Sequence, residues 1–318
     1  MNRYLFRLHK QGGRMATTKK ARIKAGRRTI DLSNPDKVLW PDEGYTKTDL
    51  VDYYRTIAPT MESYVAGRLL TLERFPDGID GKRFFQKDAP AYFPDWIERK
   101  RVGKRGGGTV DHVVGDGPTL VYLATQAVIT VHMSLNTAGD LERPDQIVFD
   151  LDPSTDDFSV VKRAAHLTRE LLEDLGLVPF VKTSGSRGLH LTVPVKGVTF
   201  AETRPFARDV MSLLAREYPE ELTVEGRKEK RKGRLFLDWM RNSAGATVVA
   251  PYSVRPLPGA PVAVTLDWDE VDAKGFGPRI YSFEDATLRA KSDPWKGWRR
   301  RSRSLATARS RLDGFLED

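Results

Sequence analysis

Two aspartates stand two positions apart at the end of an apolar run. Residues 147–149 are Ile-Val-Phe, and Asp150, Leu151, Asp152 and Pro153 follow. On a β-strand, residues i and i+2 point to the same face, so Asp150 and Asp152 are expected to project side by side. Neighbouring carboxylates repel each other and stay ionised together only when a cation lies close. Oxygen ligands of this kind suit Mg²⁺ or Mn²⁺, although a lone Asp-x-Asp pair is more often two solvated acids at a strand end.

Further polar residues downstream could complete such a site. Asp238 interrupts the apolar segment 235–239, where a lone carboxylate is costly unless it is paired or binds a metal. The turn 184–188, Ser-Gly-Ser-Arg-Gly, combines hydroxyls, backbone N–H groups and a guanidinium, which together suit a phosphate. His190 lies on the next predicted strand, and Arg255 ends another. Three acids, a phosphate-binding turn and dispersed arginines suit two-metal phosphoryl or nucleotidyl transfer.

The elements that would position these residues are predicted to follow the order β-α-β-β-α-β. The predicted elements are strand 147–151, helix 158–175, strands 178–183 and 189–195, helix 203–217 and strand 235–240. This split βαβ order occurs in RNA-recognition (RRM) domains and in polymerase palm domains. Its first and third strands are adjacent and central, so Asp150 and Asp152 are expected beside the strand of His190. A further strand over 247–254 is expected to pair beside that of Asp238 and to bring Arg255 to the same pocket.

The N-terminal half is predicted to contain a helix flanked by two lysines. Thr46 or Thr48 is expected to cap the start of this helix. Pro59 is expected to end or kink it before a second helix. Lys37 and Lys47 flank the helix start, and from local sequence alone both are ordinary solvated lysines.

Two adjacent phenylalanines follow in a predicted strand. Phe84 and Phe85 point to opposite faces of such a strand, so at most one is buried against a one-sided sheet. An exposed phenylalanine beside basic residues is a candidate base-stacking platform, while a place in the core is the alternative. The basic, glycine-rich stretch 99–108 is either a phosphate-contacting loop or a solvated turn. His132 lies on a predicted strand, where a lone histidine is more often structural than catalytic.

The composition is that of a globular protein with a basic balance. The chain has 318 residues, 40% of them hydrophobic and 30% charged, enough for one large or two small domains. The absence of cysteine excludes disulfides, thiolate zinc sites and cysteine nucleophiles. The formal net charge of +9 favours polyanionic partners, nucleic acid first. We find no signal-peptide pattern and no apolar run of about 18 residues, so we expect a cytoplasmic, nucleoid-associated protein with no membrane partner.

The composition along the chain predicts one domain between two basic tails. Residues 1–28 are rich in Arg, Lys and Gly without sustained periodicity and are predicted to form a flexible tail. The domain is predicted over 29–290, in the α+β class. An RRM-like βαββαβ module of about 141–260 is expected to pack on an N-terminal α/β module of about 29–140. Residues 291–318 are predicted to form a basic tail that orders only on a partner.

Taken together, these motifs resemble the polymerase domain of bacterial DNA ligase D, a member of the archaeo-eukaryotic primase superfamily. The resemblance covers about residues 30–290, and the whole set is far more specific than any single motif. The matching stretches are Asp36-Lys37-Val38-Leu39-Trp40-Pro41 with Thr46-Lys47-Thr48-Asp49; Glu73-Arg74-Phe75-Pro76-Asp77-Gly78; Phe84-Phe85-Gln86-Lys87; Asp150-Leu151-Asp152-Pro153; Lys182-Thr183-Ser184-Gly185-Ser186-Arg187-Gly188-Leu189-His190; Asp238-Trp239; and Ala250-Pro251-Tyr252-Ser253-Val254-Arg255.

The resemblance implies a primase-polymerase fold and a role for each matching residue. The metal-binding and catalytic acids would be Asp150, Asp152 and Asp238, holding two Mn²⁺ or Mg²⁺ ions, with Mn²⁺ favoured. The incoming nucleotide would be held by Ser184, Arg187, His190 and Arg255, with His132 and Arg231 as further members of that pocket. The DNA-binding residues would be Lys37 and Lys47, which grip a downstream 5′-phosphate, and Phe84 and Phe85, which stack on template bases. Glu73 and Arg241 differ from the residues of some relatives, which leaves their roles open.

The activity that the resemblance implies is template-dependent nucleotidyl transfer in non-homologous end joining. Such an enzyme fills gaps and extends ends at double-strand breaks that bear a 5′-phosphate, and it favours ribonucleotides over deoxyribonucleotides. The stretch 78–83 imitates the ligase motif Lys-x-Asp-Gly-x-Arg, but Gly78 replaces its nucleotide-accepting lysine. We therefore expect a stand-alone polymerase that works with Ku and a separate ATP-dependent DNA ligase. The alternatives are a primase or primase-polymerase that starts strands de novo and a non-catalytic nucleic-acid-binding module.

Overall fold

Helices and strands alternate through most of the chain. The computed structural model describes residues 20–104 and 106–317, and within them no helix is long and apolar enough to cross a membrane. The strands are β1 (Lys20–Ala25), β2 (Arg28–Ser33), β3 (Val38–Trp40), β4 (Tyr45–Thr46), β5 (Arg68–Arg74), β6 (Phe84–Gln86), β7 (Arg99–Gly103), β8 (Thr109–Val113), β9 (Val128–Thr137), β10 (Asp140–Pro144), β11 (Gln146–Asp152), β12 (Phe180–Thr183), β13 (Leu189–Pro194), β14 (Leu222–Thr223), β15 (Leu235–Asp238), β16 (Thr247–Val249) and β17 (Thr265–Leu266). The α-helices are α1 (Lys47–Val65), α2 (Gly117–Thr125), α3 (Phe158–Asp174), α4 (Phe200–Glu217), α5 (Trp268–Val271), α6 (Phe283–Arg289) and α7 (Ala306–Glu317). The predicted α+β class is confirmed.

A six-stranded sheet carries the aspartate pair at its centre. Its strand order is β14-β15-β11-β13-β12-β17, so β11 lies between β13 and β15. The elements β11, α3, β12, β13, α4 and β15 follow the predicted βαββαβ order, with the short strand β14 between α4 and β15. The helices α3 and α4 both pack on β11. Burial drives this packing, because α3 places Val161, Ala164, Ala165 and Leu172 on its inner face. The predicted neighbourhood of the first and third strands, β11 and β13, is confirmed.

A second sheet has the order β10-β9-β5-β6, and β16 also pairs with β9. The predicted strand over 247–254 is therefore wrong in its length and in its partner, since β16 ends at Val249 and does not pair with β15. Asn242 supplies the physical reason. Its side chain accepts a hydrogen bond from the N–H of Val148 at 2.8 Å and donates to the carbonyl of Val148 at 2.7 Å. The side-chain amide of Asn242 thus makes the hydrogen bonds to Val148 that a further residue of a pairing strand would make. The chain then continues into the second sheet, where β16 pairs with β9.

The helix α1 is continuous where two helices were expected. Thr46 caps it and Asp49 completes a capping box, as the first of the two predicted caps. Pro59 lies inside the helix without ending it. Proline removes one backbone hydrogen bond, and burial on both sides of it compensates, because Tyr54 and Met61 are each 0% exposed.

The predicted N-terminal tail is wrong for residues 20–28, and residues 1–19 lie outside the described part of the chain. β1 and β2 form an antiparallel hairpin with Ile23 opposite Ile30. Ile23, Ile30 and Leu32 are buried, because alternate positions of the hairpin face the core. Among the basic residues of this stretch, Arg22, Lys24, Arg27 and Arg28 are exposed.

The predicted C-terminal tail is also wrong for residues 291–317. Trp295 and Trp298 are 1% and 4% exposed, and the indole N–H of Trp295 donates to the carbonyl of Val181 at 3.0 Å. The helix α7 packs on α4 and buries Ala308 and Leu312. Apolar burial orders this segment although its composition is basic. The domain boundaries at about 140 and 260 remain a prediction.

Candidate active site

The paired strands β11, β13 and β15 bring three polar side chains to one point. Asp150 lies directly opposite Asp238 on β15 and directly opposite His190 on β13. Residues in such register have Cβ atoms about 5 Å apart, and like charges there are destabilising. Asp152, two positions along β11, is also partly exposed on the same face. The predicted neighbourhood of Asp150, Asp238 and His190 is therefore observed.

Two arginines provide the positive charge beside these acids. The Nε of Arg241 lies 3.1 Å from Asp238 Oδ2 and 3.6 Å from Asp150 Oδ2. The buried Arg231 donates from Nη1 to Asp152 Oδ2 at 2.9 Å. The acids are thus divided between two guanidinium groups, Asp150 with Asp238 and Asp152 alone.

Burial makes ionisation of these acids difficult. The pKa of Asp150 is raised to about 7, chiefly by burial; Arg241 opposes this shift, and the charges of Asp238 and Asp152 contribute to it. Burial also raises the pKa of Asp238, and Arg241 opposes that shift. A further cation close to these two carboxylates would therefore favour their ionised forms.

The donor chemistry fits hard divalent cations. Within the described residues, no group of three or more histidine, cysteine, aspartate or glutamate side chains is arranged to hold a metal ion. Asp150 and Asp238 nevertheless lie directly opposite each other, each with an oxygen within 4 Å of Arg241 Nε, and oxygen ligands of this type suit Mg²⁺ and Mn²⁺. The placement of two aspartates directly opposite each other is the observation that favours a cation at this point, and the raised pKa values of both acids agree with it.

The turn 184–188 forms one wall of a cavity that Asp150, Asp152 and Asp238 also line. The hydroxyl of Ser184 accepts hydrogen bonds from the backbone N–H of Ser186 at 3.2 Å and of Gly188 at 3.1 Å. Gly185 has a φ of +66°, and a Cβ there would lie 2.7 Å from Cγ of Arg255. Glycine is required at this position by both conformation and space.

Several buried nitrogen atoms near the turn lack a hydrogen-bond partner among the described residues. They are Arg255 Nε, His190 Nδ1 and His132 Nε2. Burial lowers the pKa of Arg255, while Glu73 and Asp150 raise it. Buried polar atoms without a partner are rare in proteins, and three of them on residues that line one cavity indicate a missing polar or anionic partner.

One cavity of about 250 Å³ unites most of the predicted site. The predicted residues that line it are Asp150, Asp152, Asp238, Ser184, Arg187, His190, Arg255 and His132. Arg255 reaches the cavity from an extended segment in which Val254 bridges Val262, not from a strand beside β15. Arg231 is held by Asp152 next to this cavity, and it is not among the lining residues.

The four predicted DNA-binding residues lie outside the cavity lining. Lys37 Nζ bonds to Asp77 Oδ1 at 2.7 Å, and the buried Lys47 donates from Nζ to the carbonyl of Ser33 at 2.8 Å. Burial lowers the pKa of Lys47, and the neighbouring Lys37 lowers it further. The expectation of a solvated Lys47 is therefore wrong.

Both phenylalanines are exposed, Phe84 by 36% and Phe85 by 56%. The ring of Phe85 meets the ring of His132 edge-on at 5.9 Å between centroids. Because His132 lines the cavity, this contact connects the exposed aromatic pair to the cavity. An arginine lies over each ring, Arg74 over Phe84 and Arg83 over Phe85.

Sequence reasoning missed three residues of the site or left them without a role. Arg241 lies within 4 Å of Asp150 and of Asp238 and provides positive charge to both. Its position three residues after Asp238 was a sequence signal that it lies near this acid. Glu73 is 3% exposed and lies 3.7 Å from Nε2 of His132. Lys182 is 1% exposed, and burial lowers its pKa to about 7. Its position in an apolar strand is the same signal that singled out Asp238.

Comparisons with known proteins agree on one family. A family model described as "LigD, primase-polymerase domain" matches residues 46–295. The chain is 37% identical over 246 residues to the multifunctional non-homologous end joining protein LigD of Mycolicibacterium smegmatis, covering 76% of this chain and 32% of that protein. It is 30% identical over 266 residues to the bifunctional non-homologous end joining protein LigD of Bacillus subtilis, covering 82% of this chain and 42% of that protein. The chain therefore spans less than half of the length of these curated relatives.

A solved structure matches over nearly its whole length. It is described as the polymerase domain from Mycobacterium tuberculosis ligase D in complex with DNA, and it has a TM-score of 0.79 and 33% sequence identity. The match covers 85% of this chain and 97% of that one. The chain belongs to the family of LigD primase-polymerase domains.

Proposed function

We propose that the chain is a template-dependent DNA or RNA nucleotidyltransferase that fills gaps and extends ends at double-strand breaks in non-homologous end joining. Its relatives are named as end-joining proteins, and its structural neighbour is a polymerase domain in complex with DNA. The single observation that carries the proposal is the shared cavity. Three acids line it together with buried nitrogens that lack partners.

The acids Asp150, Asp152 and Asp238 would hold divalent metal ions, Mn²⁺ or Mg²⁺. Bound at these oxygens, two such ions would supply charge neutralisation and lower the pKa of an attacking 3′-hydroxyl. The protein's own part is to keep these three carboxylates close together although they repel each other. Arg241 and Arg231 supply the compensating charge within the chain.

The incoming nucleotide would occupy the space between the acids and the turn 184–188. Arg255 and Arg187 would bind triphosphate oxygens, since a guanidinium remains charged and can bind two oxygens at once. His190 and His132 have lowered pKa values because of burial, so both imidazoles are neutral at pH 7 and donate from one nitrogen only. Ser184 would act chiefly by shaping the turn, because its hydroxyl already accepts two backbone hydrogen bonds.

Arg255→Ala is expected to lower kcat/KM for the nucleotide by about 10- to 150-fold, which corresponds to a charge-assisted contact of roughly 1.5–3 kcal/mol. DNA affinity should change little, because Arg255 lines the cavity and its Nε has no hydrogen-bond partner in the described part of the chain. Nucleotide titrations at fixed gapped DNA measure the effect. Arg208→Ala is the control, since Arg208 is exposed and paired with Asp209. Weakened DNA binding with unchanged nucleotide dependence would assign Arg255 to the DNA channel instead.

The 5′-phosphate at the downstream side of a gap would be held by Lys37 and Lys47. The two residues are adjacent, because the backbone N–H of Lys47 donates to the carbonyl of Lys37 at 2.8 Å. Phe84 and Phe85 would stack on template bases, a contact that tolerates any base. These lysines and phenylalanines would recognise the break, while the nucleotide would be added in the cavity.

Lys37→Ala is expected to reduce the preference for phosphorylated over unphosphorylated downstream ends by about tenfold or more, because a charge-assisted contact to phosphate is lost. The side chain of Lys37 is 35% exposed and bonded to one exposed acid, so folding should be unaffected. Adding Lys47→Ala should abolish the preference and also lower stability, since the contact with Ser33 is lost. Competition binding with both kinds of end measures the ratio, with Lys274→Ala as an exposed control. Equal losses on both ends would indicate general backbone contacts.

The experiment that tests the proposed function is primer extension on a gapped duplex with a 5′-phosphate. We expect addition to require Mn²⁺ or Mg²⁺ and to be faster with ribonucleotides than with deoxyribonucleotides. Product formation without any primer would favour a primase that starts strands de novo, and no addition under any condition would favour a non-catalytic binding module. Addition of purified Ku and an ATP-dependent DNA ligase should then join the extended ends.

A further inference from the structure

The segment 291–303 presents a dense set of cations that the proposed catalytic site does not use. Its basic residues are all exposed: Lys291, Lys296, Arg299, Arg300, Arg301 and Arg303. Its one acid, Asp293, is turned inward and bonds to the hydroxyls of Tyr64, Tyr252 and Thr265. We call residues 291–303 the C-terminal basic segment.

Buried aromatic side chains hold this segment in place. Trp295 donates to the carbonyl of Val181, and the ring of Trp298 is stacked with that of Tyr64 at 6.4 Å between centroids. The carbonyl of Arg303 accepts a hydrogen bond from the N–H of Lys196 at 3.0 Å, which brings an exposed lysine beside the segment. The cations are therefore displayed on a fixed backbone, and binding a partner requires less ordering.

These cations are largely free of acidic partners. No carboxylate of the described residues lies within 4.0 Å of Lys291, Lys296, Arg300, Arg301 or Arg303. Arg299 lies 3.7 Å from Asp145, but that acid is already bound by both oxygens to the fully buried Arg68. The positive charge of the segment is therefore available to an external anion.

A recess in the segment has the chemistry of a phosphate contact. A cavity of about 420 Å³ is lined by Lys291, Lys296 and Arg299 and by the hydroxyl residues Thr60 and Ser63, together with Asp293, Trp295 and Trp298. Lysine, arginine, serine and threonine side chains are common phosphate contacts in protein–DNA interfaces. Duplex DNA presents one negative charge per about 1.7 Å of its axis. This dense and regular array of charges fits a continuous run of cations better than the charges of an acidic peptide do.

The segment lies away from the proposed catalytic acids. Asp145, which Arg299 approaches, directly precedes β11, whereas Asp150 and Asp152 end that strand. At a rise of about 3.3 Å per residue, the separation along β11 is about 20 Å. This distance corresponds to about six steps of 3.4 Å along a DNA strand. In agreement with this separation, no residue of the segment lines the nucleotide cavity.

We propose that the C-terminal basic segment is a second DNA-binding surface, which holds the phosphate backbone of duplex DNA without sequence preference. It would bind DNA at a distance from the reacting end and would do so without the catalytic acids. Its partner chemistry is that of a nucleic-acid backbone.

The test compares the salt dependence of DNA binding in matched variants. The triple variant Lys296→Ala, Arg300→Ala, Arg301→Ala should bind a blunt, ungapped, unphosphorylated duplex about tenfold or more weakly at about 0.15 M salt. Its slope of log affinity against log salt should fall by about two to three, since each lost phosphate contact removes about 0.9. Fluorescence anisotropy across a salt series measures both quantities.

The control variant Arg22→Ala, Arg163→Ala, Lys274→Ala removes the same charge from exposed positions elsewhere and should leave the slope nearly unchanged. A second variant, Arg300→Lys with Arg301→Lys, should keep the slope of the unchanged chain because the charge is retained. Thermal melting of all variants checks that they are folded.

Catalysis provides an independent readout. The triple variant should keep its rate of nucleotide addition at saturating DNA, and Asp150→Asn should lose addition but keep the salt slope. A failure of the proposed polymerase activity would thus leave the binding result intact. An unchanged affinity and slope in the triple variant would overturn the proposal and point to an acidic protein as the occupant of this surface. Equal slope losses in the triple and control variants would also overturn it.

Discussion

Asp150→Asn is expected to reduce nucleotide addition by about 1,000-fold or more while DNA binding stays near that of the unchanged chain. Loss of a metal-binding carboxylate removes several kcal/mol of transition-state stabilisation, and about 4 kcal/mol corresponds to such a factor. Asparagine keeps the size of the side chain and removes its charge. Single-turnover extension on gapped DNA measures the loss.

The loss would not arise from unfolding. Asp150 is partly buried opposite Asp238, and desolvation already raises its pKa to about 7. Neutralising it removes a repulsion between paired strands, so the melting temperature without metal should stay equal or rise. Mn²⁺ should stabilise the unchanged chain against heat and stabilise Asp150→Asn much less.

A matched control separates charge from position. Asp272→Asn changes an exposed carboxylate that pairs with His166, and it should leave both extension and the metal-dependent melting shift intact. Near-normal extension by Asp150→Asn and by Asp238→Asn would contradict the assignment of these acids to the reaction.

The central architecture could be predicted because it follows from periodicity. Apolar residues at helical spacing in 158–175 and short β-branched runs on either side of it are local signals of α3, β11 and β12. The βαββαβ order then places the strand of Asp238 beside that of Asp150, although it does not determine the register that puts the two acids directly opposite each other. The acids of the site were therefore predictable from sequence.

Other features depend on tertiary contacts that no local pattern contains. The transfer of β16 to the second sheet depends on Asn242, whose amide replaces a strand partner. The order of the C-terminal segment depends on the burial of Trp295 and Trp298 within a stretch whose composition is basic. The burial of Lys47 depends on a hydrogen bond from its ammonium group to the backbone carbonyl of Ser33. In each case the partner of a side chain lies at least 14 residues away in sequence, and the contact with that partner determines the local structure.

Gly188 shows how the phosphate turn and the acid strand depend on each other. An ideal Cβ at this position would lie only 1.9 Å from the carbonyl oxygen of Leu151 and 3.3 Å from Cδ of Pro153. Leu151 stands between Asp150 and Asp152. The backbone of β11 can approach the turn only because residue 188 has no side chain.

Gly188→Ala is therefore expected to displace β11 or the turn. We expect a loss of about 1–3 kcal/mol in the free energy of unfolding, the usual cost of overpacking. Nucleotide addition should fall by roughly 100-fold or more, because a shift of about 1 Å misplaces reacting groups. The turn would also lose order, since Gly188 donates its N–H to the Ser184 hydroxyl and accepts from the Ser184 N–H at 3.0 Å.

Urea unfolding and nucleotide titration on gapped DNA measure the two effects of Gly188→Ala separately. Gly103→Ala is the matched control, because a Cβ there meets nothing within 4 Å and its backbone is not left-handed. That control should keep full activity and lose little stability. A Gly188→Ala chain with unchanged kcat/KM for the nucleotide would show that β11 and the turn move independently, and the close approach at Leu151 would then have no part in positioning the acids.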